Sequence, residues 1–264
     1  MPINSERLWV NDMTVFDVFK KINDAADFSL AESWDNCGIL VGSSFRDVKK
    51  ILTCLDITCD VAREAIDIGA DLVVSHHPVI FKGLKSLDDN NPAVMLSKAG
   101  VSAICCHTNV DIAAGGLNSF LCEKLGFKEI AGLPLAYDEG SPIGIVCESE
   151  NELSGGELAK LLVEVLGCDA LRFYDSGKEI KRIGICTGSG SDFLGDALRN
   201  KCDVLITGDV KHSAFTEAKN SGVSLFDAGH YHTECIFSEW IERIIDGVKI
   251  SRAKADKPPY QTVF

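Results

Sequence analysis

Short apolar runs alternate with helix-spaced patterns along most of this 264-residue chain, and that alternation restricts the fold more than any other feature. Lys50 to Ile57 and Asp71 to Ser75 read as buried strands, with a helix from about Thr58 to Ile68 between them and Gly69 to end it. Thr14 to Ala26 puts Val15, Val18, Phe19, Ile22 and Ala26 on one helical stripe, with Thr14 as the N-cap. A strand over Cys37 to Val41, a helix near Pro92 to Ala99, a strand over Val101 to Cys105 and a helix over Leu117 to Leu125 complete the first half. The pattern then restarts. Ile143 to Cys147, Ala170 to Tyr174, Ile180 to Cys186, Val204 to Thr207 and Val223 to Phe226 read as strands. Ser154 to Leu166, Phe193 to Asn200, His212 to Asn220 and Thr233 to Ile245 read as helices. Such alternation predicts α/β layers around a largely parallel sheet. The loop Gly132 to Ser141 is the best internal boundary. The expectation is two α/β lobes in an α-β-α arrangement, 1–131 and 132–227, with about 228–264 completing the first.

Composition narrows the partners and the compartment. Lys plus Arg is 26 and Asp plus Glu is 39, a net charge of −13. That surface repels phosphate backbones and argues against nucleic acid as a primary partner. The eleven cysteines contain no Cys-x-x-Cys pair, so a zinc ribbon or a thioredoxin motif is excluded. Several sit inside apolar runs, such as Cys54 and Cys186, as expected of buried free thiols in a reducing compartment. The opening MPINSERLWVNDM lacks an apolar core of signal-peptide length, and no run reaches the roughly 20 apolar residues a bilayer requires. The expectation is a soluble, cytoplasmic protein with no membrane contact.

Three polar segments follow strand ends, which is where ligands bind in open α/β sheets. Ser75-His76-His77-Pro78 follows the first pair of buried strands. Adjacent histidines in an extended segment point in opposite directions and can serve two ions rather than clamp one. Cys106-His107-Thr108-Asn109-Val110-Asp111 adds an imidazole and a carboxylate. Gly229-His230-Tyr231-His232-Thr233-Glu234 places His230 and Glu234 at i, i+4, on one face of an opening helix. His232 points elsewhere and reads as a capping or supporting residue. Each segment alone is equally a solvated loop or turn. Five of the six histidines fall in these three segments, however, and random scatter would rarely achieve that. Mixed imidazole and carboxylate ligands suit Zn, Mn or Fe. Two such ions about 3.5–4 Å apart can share a carboxylate and activate a water as nucleophile.

Two glycine-rich turns are weaker candidates. Thr187-Gly188-Ser189-Gly190-Ser191 lies between a strand and a helix, so Gly188, Ser189 and Gly190 offer backbone N–H groups to an anion. Lys211 in Thr207-Gly208-Asp209-Val210-Lys211-His212 could neutralise a phosphate. A tight turn and a helix-capping turn explain both equally well. No Gly-x-Ser-x-Gly elbow supports a serine hydrolase.

The segments SWDNCGILVG, SHHPVIFKGLKSL, CCHTNVDIAAGGLN and TGDVKHSAFTEAKNSGVSLFDAGHYHTE, with the SGSG turn, resemble the Nif-three-like family in order and content. Its members carry the name GTP cyclohydrolase I type 2 or its homologues. The length resembles the short form, without the inserted domain. The resemblance implies two α/β lobes, a dinuclear metal centre between them and a hexameric ring. It implies His76, His77, Asp111, His230 and Glu234 as ligands of two divalent ions, with Glu234 bridging. It places His107 and Asp35 near the site, in a supporting or proton-transfer role. The expected activity is metal-dependent hydrolysis of a small nucleotide-like or phosphorylated substrate, of which purine C–N opening is the specific form. A metal-binding adaptor without catalysis is the alternative.

Overall fold

The computed structural model describes residues 13–134, 142–168 and 170–263. The opening dozen residues of the leader reading, and residues 135–141 of the boundary loop, lie outside the described residues. The first part of the chain runs α1 (Val15–Ala25), β1 (Gly38–Val41), β2 (Lys50–Cys54), α2 (Cys59–Asp67), β3 (Leu72–Ser75), α3 (Pro92–Ala99), β4 (Ser102–Cys105), α4 (Thr108–Ile112) and α5 (Leu117–Lys124). It continues through β5 (Lys128–Leu133), β6 (Gly144–Leu153), α6 (Gly155–Leu166), β7 (Arg172–Tyr174), β8 (Ile180–Ile185), α7 (Leu194–Arg199), β9 (Val204–Thr207), α8 (His212–Ser221) and β10 (Ser224–Asp227). It ends with α9 (His230–Glu234), α10 (Phe237–Ile244) and β11 (Lys249–Arg252).

Local chemistry accounts for most boundaries. Thr14 and Asp17 close a capping box at α1, and Ser154 and Glu157 close another at α6. Asn91 caps α3 with Pro92 in its first turn, and Gly100 ends it in the left-handed region. Strands β3, β4, β9 and β10 are buried at every residue, as strands covered by helices on both faces must be.

Two mixed sheets result. The first has the order β1-β4-β3-β2-β11, with β2, β3, β4 and β11 parallel and β1 antiparallel. The second has the order β5-β6-β8-β9-β10-β7. Only β8, β9 and β10 are parallel there, so the expected largely parallel arrangement fits the first sheet better than the second. The reason lies in the connections. Parallel pairing needs a helical crossover of about a dozen residues or more, and only ten residues separate β5 from β6, which pair antiparallel. One apolar core joins both sheets through α1, α5, α6 and α10, from Val18 and Leu72 to Leu158 and Phe226. A second core lies under α2 and α3, and a third under α7 and α8.

The end of the chain departs most from the sequence expectation. The single helix expected over Thr233 to Ile245 is two helices, the first opening already at His230. Helix α10 packs on α1, α5 and β2, and the Trp240 indole donates to the Gly115 carbonyl at 2.9 Å. The chain then adds β11 beside β2, a strand that the Lys-Ile-Ser-Arg pattern does not announce.

Candidate metal centre

The three polar segments meet. His76 and His77 leave the end of β3, Asp111 lies in α4 just beyond β4, and α9 brings His230 and Glu234 from beyond β10. The ligand atoms form overlapping groups, each within 4.8 Å: His76, Asp111 and Glu234; His77, His230 and Glu234; His76, His77 and His107. Glu234 belongs to two of them. Its carboxylate is almost fully buried, with Oε1 3.6 Å from His76 Nε2 and Oε2 3.1 Å and 2.8 Å from the Nε2 atoms of His77 and His230. His76 Nε2 is also 3.6 Å from Asp111 Oδ1.

This arrangement fits a metal better than a hydrogen-bond network. His76 Nε2 is fully buried and makes no hydrogen bond, although a buried polar atom left so is costly. Glu234 Oε2 is close to two imidazoles, yet the contacts lack hydrogen-bond alignment. Separations of 3.6 Å are too long for hydrogen bonds, and near those between ligands bound to one ion at about 2.0–2.2 Å.

Each imidazole is held from behind. His76 Nδ1 lies 2.9 Å from the Cys106 carbonyl, His77 Nδ1 2.9 Å from Asp56, His107 Nδ1 3.0 Å from Asp35 and His230 Nδ1 2.7 Å from Asp209. A carbonyl or carboxylate accepts only, so each Nδ1 carries the proton and each Nε2 is left to bind. Asp209 takes a positive φ of 52° to reach its place, an uncommon conformation for a residue with a side chain. The Asp35 carboxylate also accepts from the Thr108 amide and hydroxyl, at 3.1 Å and 2.6 Å, which ties His107 to the opening of α4.

Charge in the cluster follows from burial and neighbours. Burial opposes protonation of His77, but Asp56 and Glu234 outweigh it and lift its pKa to about 10. Burial likewise opposes His230, and Glu234 with Asp209 raises it to about 9. Burial pushes the Glu234 carboxyl up, while His76, His230 and His77 hold it well below the usual range. Burial raises Asp111, with Glu234 adding to the rise. The cluster therefore holds protons where a divalent cation would replace them.

The glycine-rich turns play different parts. Gly188, at φ +66°, forms a wall of the cluster: a Cβ there would overlap Glu234 Oε1. Its amide donates to the Thr233 hydroxyl, and that of Gly190 donates to Thr207, so both N–H groups are engaged within the protein. Ser189 is exposed, and Lys211 stands exposed at the N-cap of α8. His232 is buried beside Tyr231. The sequence reading missed Asp56 and Asp209. Both follow strand ends in the structure, after β2 and β9, but the strand expected over Lys50 to Ile57 ran past Asp56, and the turn that holds Asp209 was read for Lys211. Trp34 lies edge-on to His107 with ring centroids 6.2 Å apart, and the reading missed it as well.

These features define an α/β protein of two mixed sheets with a buried histidine–carboxylate cluster suited to metal. The chain belongs to the Duf34/NIF3 (NGG1p interacting factor 3) family, which it matches over residues 13–257. It is 33% identical over 262 residues to the GTP cyclohydrolase 1 type 2 homolog of Clostridium perfringens, covering 95% of this chain and 100% of that one. A relative of the same name from Campylobacter jejuni is 31% identical, covering 94% and 99%. Among solved structures, a Staphylococcus aureus hypothetical protein superposes with a TM-score of 0.82 at 29% identity, covering 95% of this chain and 99% of that one. Among the described residues no helix is long and apolar enough to cross a membrane.

Proposed function

We propose that this chain is a dinuclear metal-dependent hydrolase acting on a small nucleotide-like or phosphorylated substrate. The observation that carries the reading is the sharing of Glu234 between two ligand groups, one with His76 and Asp111, the other with His77 and His230. In this reading those five residues hold two divalent ions, of the Zn, Mn or Fe kind favoured by imidazole and carboxylate donors. The ions, when bound, supply Lewis acidity and a means of ionising water near neutral pH. His107 presents Nε2 toward His76 and His77 with Asp35 behind it, a pair suited to moving a proton at that edge. Ser189 and Lys211 are the remaining anion contacts, since the amides of Gly188 and Gly190 are engaged. The names of the relatives support the cyclohydrolase form. Two lobes divided near 132, a cytoplasmic location and a hexameric ring complete the proposal.

Protein purified without added metal is expected to carry two equivalents per chain by elemental analysis. Anomalous scattering at the Fe, Mn and Zn edges would name them. Loaded protein is expected to turn over GTP or a simple phosphoester, and Glu234→Ala to abolish turnover while circular dichroism is unchanged. Less than one equivalent in loaded wild type would sink the metal reading. The family description as an interacting factor supports a second reading, a metal-binding adaptor. Stoichiometric metal without turnover of any substrate tested would favour it.

A further inference from the structure

Cavities line the face of the cluster that carries His77 and His230. One, of about 300 Å³, is lined by His77, His230, Asp56 and Asp209 together with Pro259 and Tyr260. A second, of about 330 Å³, shares Asp56, His77 and Pro259 and extends to Lys257. A third, of about 280 Å³, shares Asp209 and Tyr260 and extends to Arg172. Pro259 or Tyr260 borders every one of them, so the C-terminal segment runs across this face as a strap.

The strap has a fixed base and an exposed end. The Ala253 amide donates to the Thr53 carbonyl, and the amides of Lys254 and Ala255 donate to the Glu64 carboxylate at 2.9 Å and 2.8 Å. Asp256 accepts from the Leu55 amide through its carboxylate, and from the Tyr231 hydroxyl through its carbonyl. Beyond Asp256 the residues are largely exposed, and Tyr260 retains 51% of its surface. These residues lie against the open side of the candidate metal centre, with Pro258 and Pro259 stiffening the approach.

We infer that the cavity between the cluster and this strap is the substrate-binding site, and that Tyr260 is the wall on which a flat, uncharged or cationic ring of the substrate packs. The inference rests on the hydrolase reading and narrows its substrate. About 300 Å³ lies at the lower end of ligand-site volumes and suits a nucleobase-sized ring. Leu55, Tyr231, Pro259 and Tyr260 supply apolar and aromatic surface to a cavity that Asp56 and Asp209 also line. That pairing favours a ring with N–H groups on one edge and disfavours a phosphate lodged in the same space.

The test compares metal-loaded wild type with a chain ended after Asp256, Tyr260→Ala and Tyr260→Phe. Metal per chain, the rate of metal loss to excess EDTA, and binding of adenosine by equilibrium dialysis are measured, with ribose 5-phosphate as the ringless control. Truncation is expected to leave metal content unchanged, to speed its loss at least tenfold, and to weaken adenosine about tenfold, in keeping with the loss of one stacking surface. Tyr260→Ala is expected to weaken adenosine about fivefold and Tyr260→Phe less than twofold. Unchanged metal loss and adenosine affinity in the truncated chain would overturn the strap as a wall. Failure of wild type to bind adenosine, or tighter binding of ribose 5-phosphate, would overturn the ring. Wild type that holds no metal but binds adenosine through Tyr260 would remove the hydrolase reading and leave the pocket standing.

Discussion

His76 and His77 are neighbours in sequence and opposites in environment. His76 has no exposed surface, its Nδ1 is held by a backbone carbonyl, and its Nε2 faces the buried carboxylates Asp111 and Glu234. The His77 side chain keeps 22% of its surface, is held by the half-exposed Asp56, and faces a cavity beside His230. One extended step between adjacent residues divides the cluster into an enclosed inner half and an open outer half. An enclosed position is built to retain an ion, while an open one lets ligands exchange. Glu234 belongs to both, so the halves are coupled through a single side chain.

The largest expected effect comes from removing what the halves share. Glu234→Gln keeps the shape but not the charge, and metal per chain by elemental analysis is expected to fall below about a tenth of wild type. Next come variants that separate the halves. Asp111→Asn is expected to lose the inner ion and His230→Ala the outer one, each leaving about one equivalent. Loss of all metal in both variants would break the distinction between the halves. Asp209→Asn leaves His230 in place but weakens its support, and outer-site affinity is expected to drop about 10–100-fold in a competition titration.

The smallest effect is on pH dependence. His77 and His230 have folded pKa values of about 10 and about 9, above the ordinary 6.5. Raised pKa values stabilise the metal-free fold fully below pH 6.5, and that contribution is lost as pH rises through 9–10. Chelator-treated protein should therefore show a falling Tm from pH 7 to 10. Metal requires the imidazoles deprotonated, so affinity should fall as pH drops from 8 to 6. A Tm that rises with pH in the metal-free protein would contradict the proton-holding cluster.

Much of the fold was legible because its signals are local. The caps of α1 and α6, the fully buried strands β3 and β9, and the helix-ending Gly100 and Gly167 are each readable within a few residues. Strands β5 and β11 were not legible. Lys128–Leu133 is exposed over most of its length and Lys249–Arg252 begins and ends in a cation, so neither has a run of apolar residues to mark it. Their pairing partners define them, and a single segment carries no record of its partner.

The same division applies to the candidate site. Local patterns determined that His76, Asp111 and His230 stand beyond the ends of buried strands, because apolar runs set where strands stop and polar residues begin. Only the tertiary structure decided that Glu234 stands between two imidazole groups, that Asp56 and Asp209 hold His77 and His230, and that Gly188 leaves room for the shared carboxylate. Those are distances between segments up to 158 residues apart, from His76 to Glu234, and they depend on how two sheets pack over one core rather than on any repeat along the chain.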